Sequence, residues 1–207
     1  MSRINRLTIP VATLPSSQRL IASQLAESSQ SRFNAFSDLY PLEETLAAAD
    51  ESDKRHREGE TKGILDGIPI SIKSNISVQG KYLTACSDSL DSVMGYDSYV
   101  ARKLKESGAI LIGSTTMDEF GMGSLGNNCN TGYTANPIPH MSDHSFISSI
   151  TDRSIDECIK GIESLSLPNY VDEDNIVLSP GGSSSGSAVS VALGASLASI
   201  GTDTGGS

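Results

Sequence analysis

Polar and apolar residues alternate along 68–73, where Ile68, Ile70 and Ile72 are interleaved with Pro69, Ser71 and Lys73. That is the two-residue period of a β-strand, and it sets Lys73 on the face opposite the isoleucines. Upstream, "PLEETLAAADESDKRHRE" (41–58) carries the helical period instead, with Pro41 near its first turn and Leu42, Leu46 and Ala49 on one side of a mostly solvated helix. Downstream, "DSYVARKLKESGAILIGSTTMDEFGMGS" (97–124) predicts a helix with Val100, Ala101 and Leu104 turned inward and a stop at Gly108. A buried strand "AILIG" and a glycine-rich connection follow. Such α-to-β units build α/β sheets. "SGSAVSVALGAS" (185–196) predicts a helix of small residues lying close against a sheet, and "LASIGTD" (197–203) another short strand.

Two stretches depart from this pattern. Between Asn136-Pro137 and Ser179-Pro180 the chain turns acidic, with Asp143, Asp152, Asp156, Glu157, Glu163, Asp172, Glu173 and Asp174. It holds one amphipathic helix, "SIDECIKGIESL", with Ser154 and Glu157 as a capping box and Ile155, Ile159 and Ile162 as its stripe. We read it as a surface insertion. Up to Ala26 the chain contains Arg3, Arg6 and Arg19 and no acid, the first being Glu27. That is the composition of an organellar transit segment. An ordinary capped helix with Leu20, Ile21 and Leu25 on one face accounts for it equally well, and both readings stand.

Composition narrows the function classes. A chain of 207 residues with 37% hydrophobic residues and 19 glycines has the makings of a globular core, and no apolar run is long enough for membrane insertion. Fifteen basic against 25 acidic residues give a net charge of −10, which argues against direct binding to a phosphate backbone, so any RNA contact needs a partner. Cys86, Cys129 and Cys158 form no CxxC pair and His56, His140 and His144 no HExxH pattern, so no metal site is signalled and the thiols read as reduced and structural.

The glycine and serine clusters carry the chemistry. "SPGGSSSGS" (179–187) has the composition of a linker, but it runs straight into a helix and a strand, which suits a tight turn presenting hydroxyls. Three chemistries use such a turn. A phosphate loop requires Gly-Lys-Ser or Gly-Lys-Thr, and neither occurs. A nucleophile elbow is formally present in Gly182, Ser184 and Gly186, but its histidine should follow the serine and all three histidines precede it. The third is a serine nucleophile served by a neutral lysine, with a second serine relaying the proton. A strand lysine standing alone is ordinarily a surface residue.

"GIPISIKSN", "MDEFGMGS", "SPGGSSSGSAVSVALG" and "GTDTGGS", in that order, resemble the amidase signature family from about Phe33 to the end of the chain. The resemblance implies an α/β fold with a mixed central sheet flanked by helices, incomplete at the C-terminus. Residues 1–32 would be the transit segment and N-terminal helix. Residues 33–207 would be the N-terminal part of an amidase domain, with the acidic insertion at about 138–179. It makes Lys73 the base, Ser183 the bridging serine held through a cis peptide, and Ser207 the acyl-forming nucleophile. The two serines lie 24 residues apart, which is the family's spacing. Backbone N–H groups of Thr204, Gly205, Gly206 and Ser207 would form the oxyanion hole, and Asp203 would fix that loop rather than act as an acid.

Within the family, "NAFSDL", "TTMDEFGMGS" and "PGGSSSGSA" are most similar to the A-type branch of the glutamyl-tRNA(Gln) amidotransferases. That likeness implies a glutaminase passing ammonia to a B-type subunit, with a small accessory subunit. tRNA would be engaged through the complex, and ATP and Mg used by the assembly, with no cofactor in this chain. With the transit-like start it implies the mitochondrial matrix. Ser74 departs from the branch, which has Asp there, as does the long insertion after Asn136. The family nucleophile is normally followed by a long second portion, so the sequence is expected to be part of a longer protein. The 207 residues alone are expected to be inactive. An amidase for another small amide, or a fragment that only binds its partner subunit, are the alternatives.

Overall fold

The structure is a computed structural model and describes residues 26–27, 30–137 and 178–206. The sequence readings for the N-terminal 25 residues, for most of the acidic stretch and for Ser207 lie outside the described residues. Besides the helical residues at 26–27 and 30–33, six strands and three α-helices follow in chain order among the described residues. They are β1 (Phe36–Leu39), α1 (Leu42–Glu58), β2 (Pro69–Lys73), β3 (Tyr82–Leu83), β4 (Ser92–Val93), α2 (Tyr99–Glu106), β5 (Ile110–Thr115), α3 (Ser185–Ala192) and β6 (Ala198–Ile200).

Four strands form a mixed sheet in the order β1-β5-β2-β6, while β3 and β4 pair as a separate ribbon. β1 runs antiparallel to β5, and β5, β2 and β6 are mutually parallel. The carboxyl ends of those three strands, at Thr115, Lys73 and Ile200, therefore open onto one edge of the sheet. In open α/β sheets that edge is where ligands bind.

β2 is the central parallel strand, and every residue in it is buried. The alternation read from sequence holds, but both faces are covered. Ile70 and Ile72 pack with Ala101 and Leu104 of α2, together with Tyr40, Val78 and Ala109. On the other face Ser71 Oγ meets Ser190 of α3 and Ser196, each at 3.0 Å, and donates to Ser199 Oγ at 2.7 Å. A second core joins Ile110 and Ile112 of β5 to Phe33, Phe36, Ala49 of α1 and Val189 and Leu193 of α3.

Local signals set the helix ends, the Gly108 stop read from sequence among them. α2 starts at Ser98, whose side chain accepts from Ala101 N–H at 3.2 Å, and ends before Gly108 at φ +81. α1 closes on Gly59 in the left-handed conformation. α1 is solvated over most of its surface, as expected, and of its apolar side only Ala49 is buried. Its buried face is Thr45, Ala49 and Ser52, while Leu42 is exposed and Leu46 only half-buried. Near the same face Arg55, three residues from Ser52, grips the buried Asp66 carboxylate with Nε at 3.0 Å and Nη2 at 2.6 Å. Small residues then face the sheet and let the helix come close to it.

α3 is the helix of small residues, and its N-terminus presses on the end of β5. Gly186 N–H donates to Thr116 O at 3.0 Å, and a Cβ at Gly186 would overlap Thr116 and the Ala35 carbonyl. Glycine is required there by proximity alone. No helix among the described residues is long and apolar enough to cross a membrane.

Candidate active site

Lys73 is the last residue of β2, and its side chain is fully buried, not at the surface as an isolated strand lysine would be. Its Nζ donates to Ser183 Oγ at 2.6 Å and to the Thr202 carbonyl at 3.0 Å. Burial pushes the Lys73 amine below the ordinary lysine value of 10.5, against the opposing pull of Asp118 and Asp203. An amine held this way loses its proton more readily than a surface lysine.

Ser183 sits in the turn between Ser179 and α3, and it too is fully buried. The "SPGGSSSGS" stretch is thus no linker. Ser179 Oγ donates to Leu125 O, Asn136 Nδ2 donates to Ser179 O at 3.1 Å, and Asp118 N–H donates to Ser183 O at 3.1 Å. The Gly182–Ser183 peptide is cis. Gly182 leaves no room for a side chain, since a Cβ would overlap the Asp118 carboxylate and press on the backbone of Ser124 and Gly126.

Sequence reasoning did not single out Asp118, which does much of this positioning. It is fully buried, and its carboxylate accepts from the N–H groups of Gly126 and Asn128, both at 3.0 Å. A carboxylate within a glycine-rich run just past a buried strand was the available signal. Asn75 and Thr202 were missed as well. Asn75 Nδ2 donates to Thr202 Oγ1 at 3.0 Å, tying the loop after β2 to the residue whose carbonyl receives Lys73.

Of the remaining expected site residues, Thr204, Gly205 and Gly206 follow Asp203, one of the two carboxylates that act on the Lys73 amine. The N–H groups of Gly205 and Gly206 converge on one oxygen, Asp203 Oδ1, at 3.0 and 2.6 Å. Asp203 therefore fixes this loop as expected, and in doing so occupies two of the N–H groups assigned to the oxyanion hole. Gly121 borders the same space. A Cβ placed on it would lie 3.4 Å from Thr204 Oγ1 and 3.8 Å from Ser183 Oγ. Ser74 is buried, with its Oγ 3.5 Å from Cys86 Sγ.

These features define a class: an α/β protein in which a buried amine meets a buried hydroxyl at the carboxyl edge of parallel strands. The chain belongs to the amidase family, whose model matches residues 21–142 and 172–207 and leaves most of the acidic stretch between the two matched spans. Its fold is that of amidase signature enzymes. A crystal structure of an amidase superposes with a TM-score of 0.67 at 31% identity, covering 94% of this chain and 36% of that one. Among curated proteins, the glutamyl-tRNA(Gln) amidotransferase A-type subunit of Chlorobium phaeobacteroides is 37% identical over 80% of this chain and 27% of its own length. The mitochondrial counterpart of Rattus norvegicus is 36% identical over 80% of this chain and 28% of its own length. The chain thus spans little more than a quarter of the length of these relatives.

Proposed function

We propose that the chain provides the lysine and bridging serine of a glutamine amidohydrolase that supplies ammonia for converting Glu-tRNA(Gln) to Gln-tRNA(Gln). The observation that carries this reading is the 2.6 Å contact between the buried Lys73 Nζ and Ser183 Oγ. Ser207 Oγ attacks the side-chain carbonyl carbon of glutamine while its proton passes through Ser183 to neutral Lys73. The amide nitrogen of the tetrahedral adduct takes that proton back from the relay as the C–N bond breaks and leaves as ammonia, and water then cleaves the γ-glutamyl ester. The N–H groups of Thr204, Gly205 and Gly206 stabilise the oxyanion, which requires the Asp203 carboxylate to release Gly205 and Gly206 when substrate binds.

The likeness to amidotransferase relatives supports a set of partners. A B-type subunit receives the ammonia and uses ATP and Mg to activate glutamate on the tRNA, with a small accessory subunit in the assembly. The acidic balance of this chain, −10, fits tRNA being held by the partner. Placement in the mitochondrial matrix is supported by the arginine-bearing, acid-free start and by mammalian relatives named as mitochondrial. Expressed as these 207 residues, the polypeptide is expected to release no ammonia, because a carboxylate on Ser207 would put negative charge beside the developing oxyanion.

A second reading is favoured by the similarity to a structure described simply as an amidase: the same site acting on another small amide without a tRNA partner. The deciding assay is ammonia release by the full-length protein assembled with its B-type subunit, offering glutamine against aliphatic amides. Preference for glutamine, lost in Ser207→Ala, is expected. Equal turnover of simple amides would favour the second reading, and ammonia release that survives Ser207→Ala would overturn both.

A further inference from the structure

Cys86 and Cys129 are 43 residues apart in sequence and neighbours in space. Asn130 N–H donates to the Cys86 carbonyl at 3.1 Å, laying the 129–131 segment alongside the loop that follows β3. Cys86 is fully buried, its Sγ accepting from Met117 N–H at 3.3 Å and lying 3.5 Å from Ser74 Oγ. Cys129 packs against the same Cys86–Met117 cluster but is only partly buried, with its Sγ 3.1 Å from Thr131 Oγ1. The two cysteines thus belong to one small cluster around Met117, whose N–H donates to Cys86.

We propose that Cys86 and Cys129 form a peroxide-responsive dithiol that closes to a disulfide beside the Lys73 end of β2. The division of labour follows from exposure and charge. The neighbouring Cys86 thiol and the Thr131 hydroxyl hold the Cys129 thiol below its ordinary value, so the more accessible sulfur is also the better thiolate, while the neighbouring Cys129 and burial push Cys86 up. Cys129 thiolate attacks one oxygen of hydrogen peroxide, breaking the O–O bond and leaving a sulfenic acid and hydroxide. Cys86 then attacks that sulfur and gives up its proton, the S–O bond breaks, and water leaves. Overall two thiols are oxidised to one disulfide while peroxide is reduced to two waters. Closure would alter Cys86 contacts to Ser74, next to Lys73, and to Met117, next to Asp118.

The test is chemical and needs no assumption about substrate. The full chain, reduced and then treated with hydrogen peroxide, is alkylated with iodoacetamide after denaturation and digested without reductant. A Cys86–Cys129 linked peptide should appear, both cysteines should lose alkylation together, and dithiothreitol should restore it, while Cys158 stays alkylated. In Cys86→Ala, dimedone should label Cys129; in Cys129→Ala, Cys86 should remain a free thiol. Should Cys86→Ala not fold, the mapping of the unmutated chain decides. Independent alkylation of Cys86 and Cys129 after peroxide, a link to Cys158 instead, or dimedone on Cys86 in the Cys129→Ala chain would each overturn the proposal.

Discussion

β2 turns two unlike faces toward the interior. On one, Ile70 and Ile72 are buried by the apolar side of α2; on the other, Ser71 and Lys73 are buried among hydroxyls contributed by α3 and its flanking turns. The polar face itself divides. Ser71 is saturated by Ser190, Ser196 and Ser199, which also bond to one another or to nearby carbonyls. Lys73, two residues on, has one hydroxyl and one carbonyl for an amine with three protons. Burial is common to all four residues, so burial does not mark the site. What marks it is a charge-bearing group left under-solvated at the open edge of the sheet.

The sharpest way to break the comparison is to keep charge at position 73 and remove basicity. Lys73→Arg in the full-length protein should lower glutamine-dependent ammonia release by about 10²–10⁴-fold, since arginine does not give up its proton in the working range. Near-normal release would remove Lys73 from the role of base. Ser183→Ala should be severe but less complete, because water can stand in for the hydroxyl in the relay.

The apolar face should respond in stability instead. Ile72→Ala removes a fully buried side chain from the core beside α2 and should cost about 2–5 kcal/mol in denaturant unfolding, with turnover per folded molecule retained. A fall in turnover matching that of Lys73→Arg would show that the two faces are not separable. Gly182→Ala should disturb both readouts, at about 1–3 kcal/mol, because its methyl group would displace the Asp118 carboxylate that orders the turn.

The smallest effect belongs to the saturated network. Ser71→Ala should cost about 1 kcal/mol, since the remaining serines keep alternative partners. Lys73 also leaves a mark on stability against pH. Its folded-state value lies below the unfolded 10.5, so between those two values the unfolded chain binds more protons and stability rises with pH. Urea unfolding of the wild-type chain against Lys73→Met across the alkaline range should show that rise in the former only.

Much of this was legible in the sequence. Alternation placed Lys73 across from the isoleucines, and Gly108 marked the end of α2, because both are local properties. What local pattern did not reveal is what covers each face. Lys73 reads as a surface residue until α3, more than 100 residues later, is laid over it. For a related reason the sequence of α1 does not show that Thr45, Ala49 and Ser52, rather than Leu42 and Leu46, are the residues the rest of the fold covers. Asp118 escaped notice because its role is to hold backbone N–H groups of glycine-rich turns, which no spacing rule encodes.

The central claim is that Lys73 is a buried amine poised to be neutral. Lysine side-chain NMR of the full-length protein, with the Lys73 signal assigned by its loss in Lys73→Arg, measures this directly. The expected result is a titration midpoint below 10.5 that coincides with the rising limb of ammonia release against pH. A midpoint at or above 10.5, or a pH–rate limb unrelated to it, would contradict the assignment of Lys73 as the base.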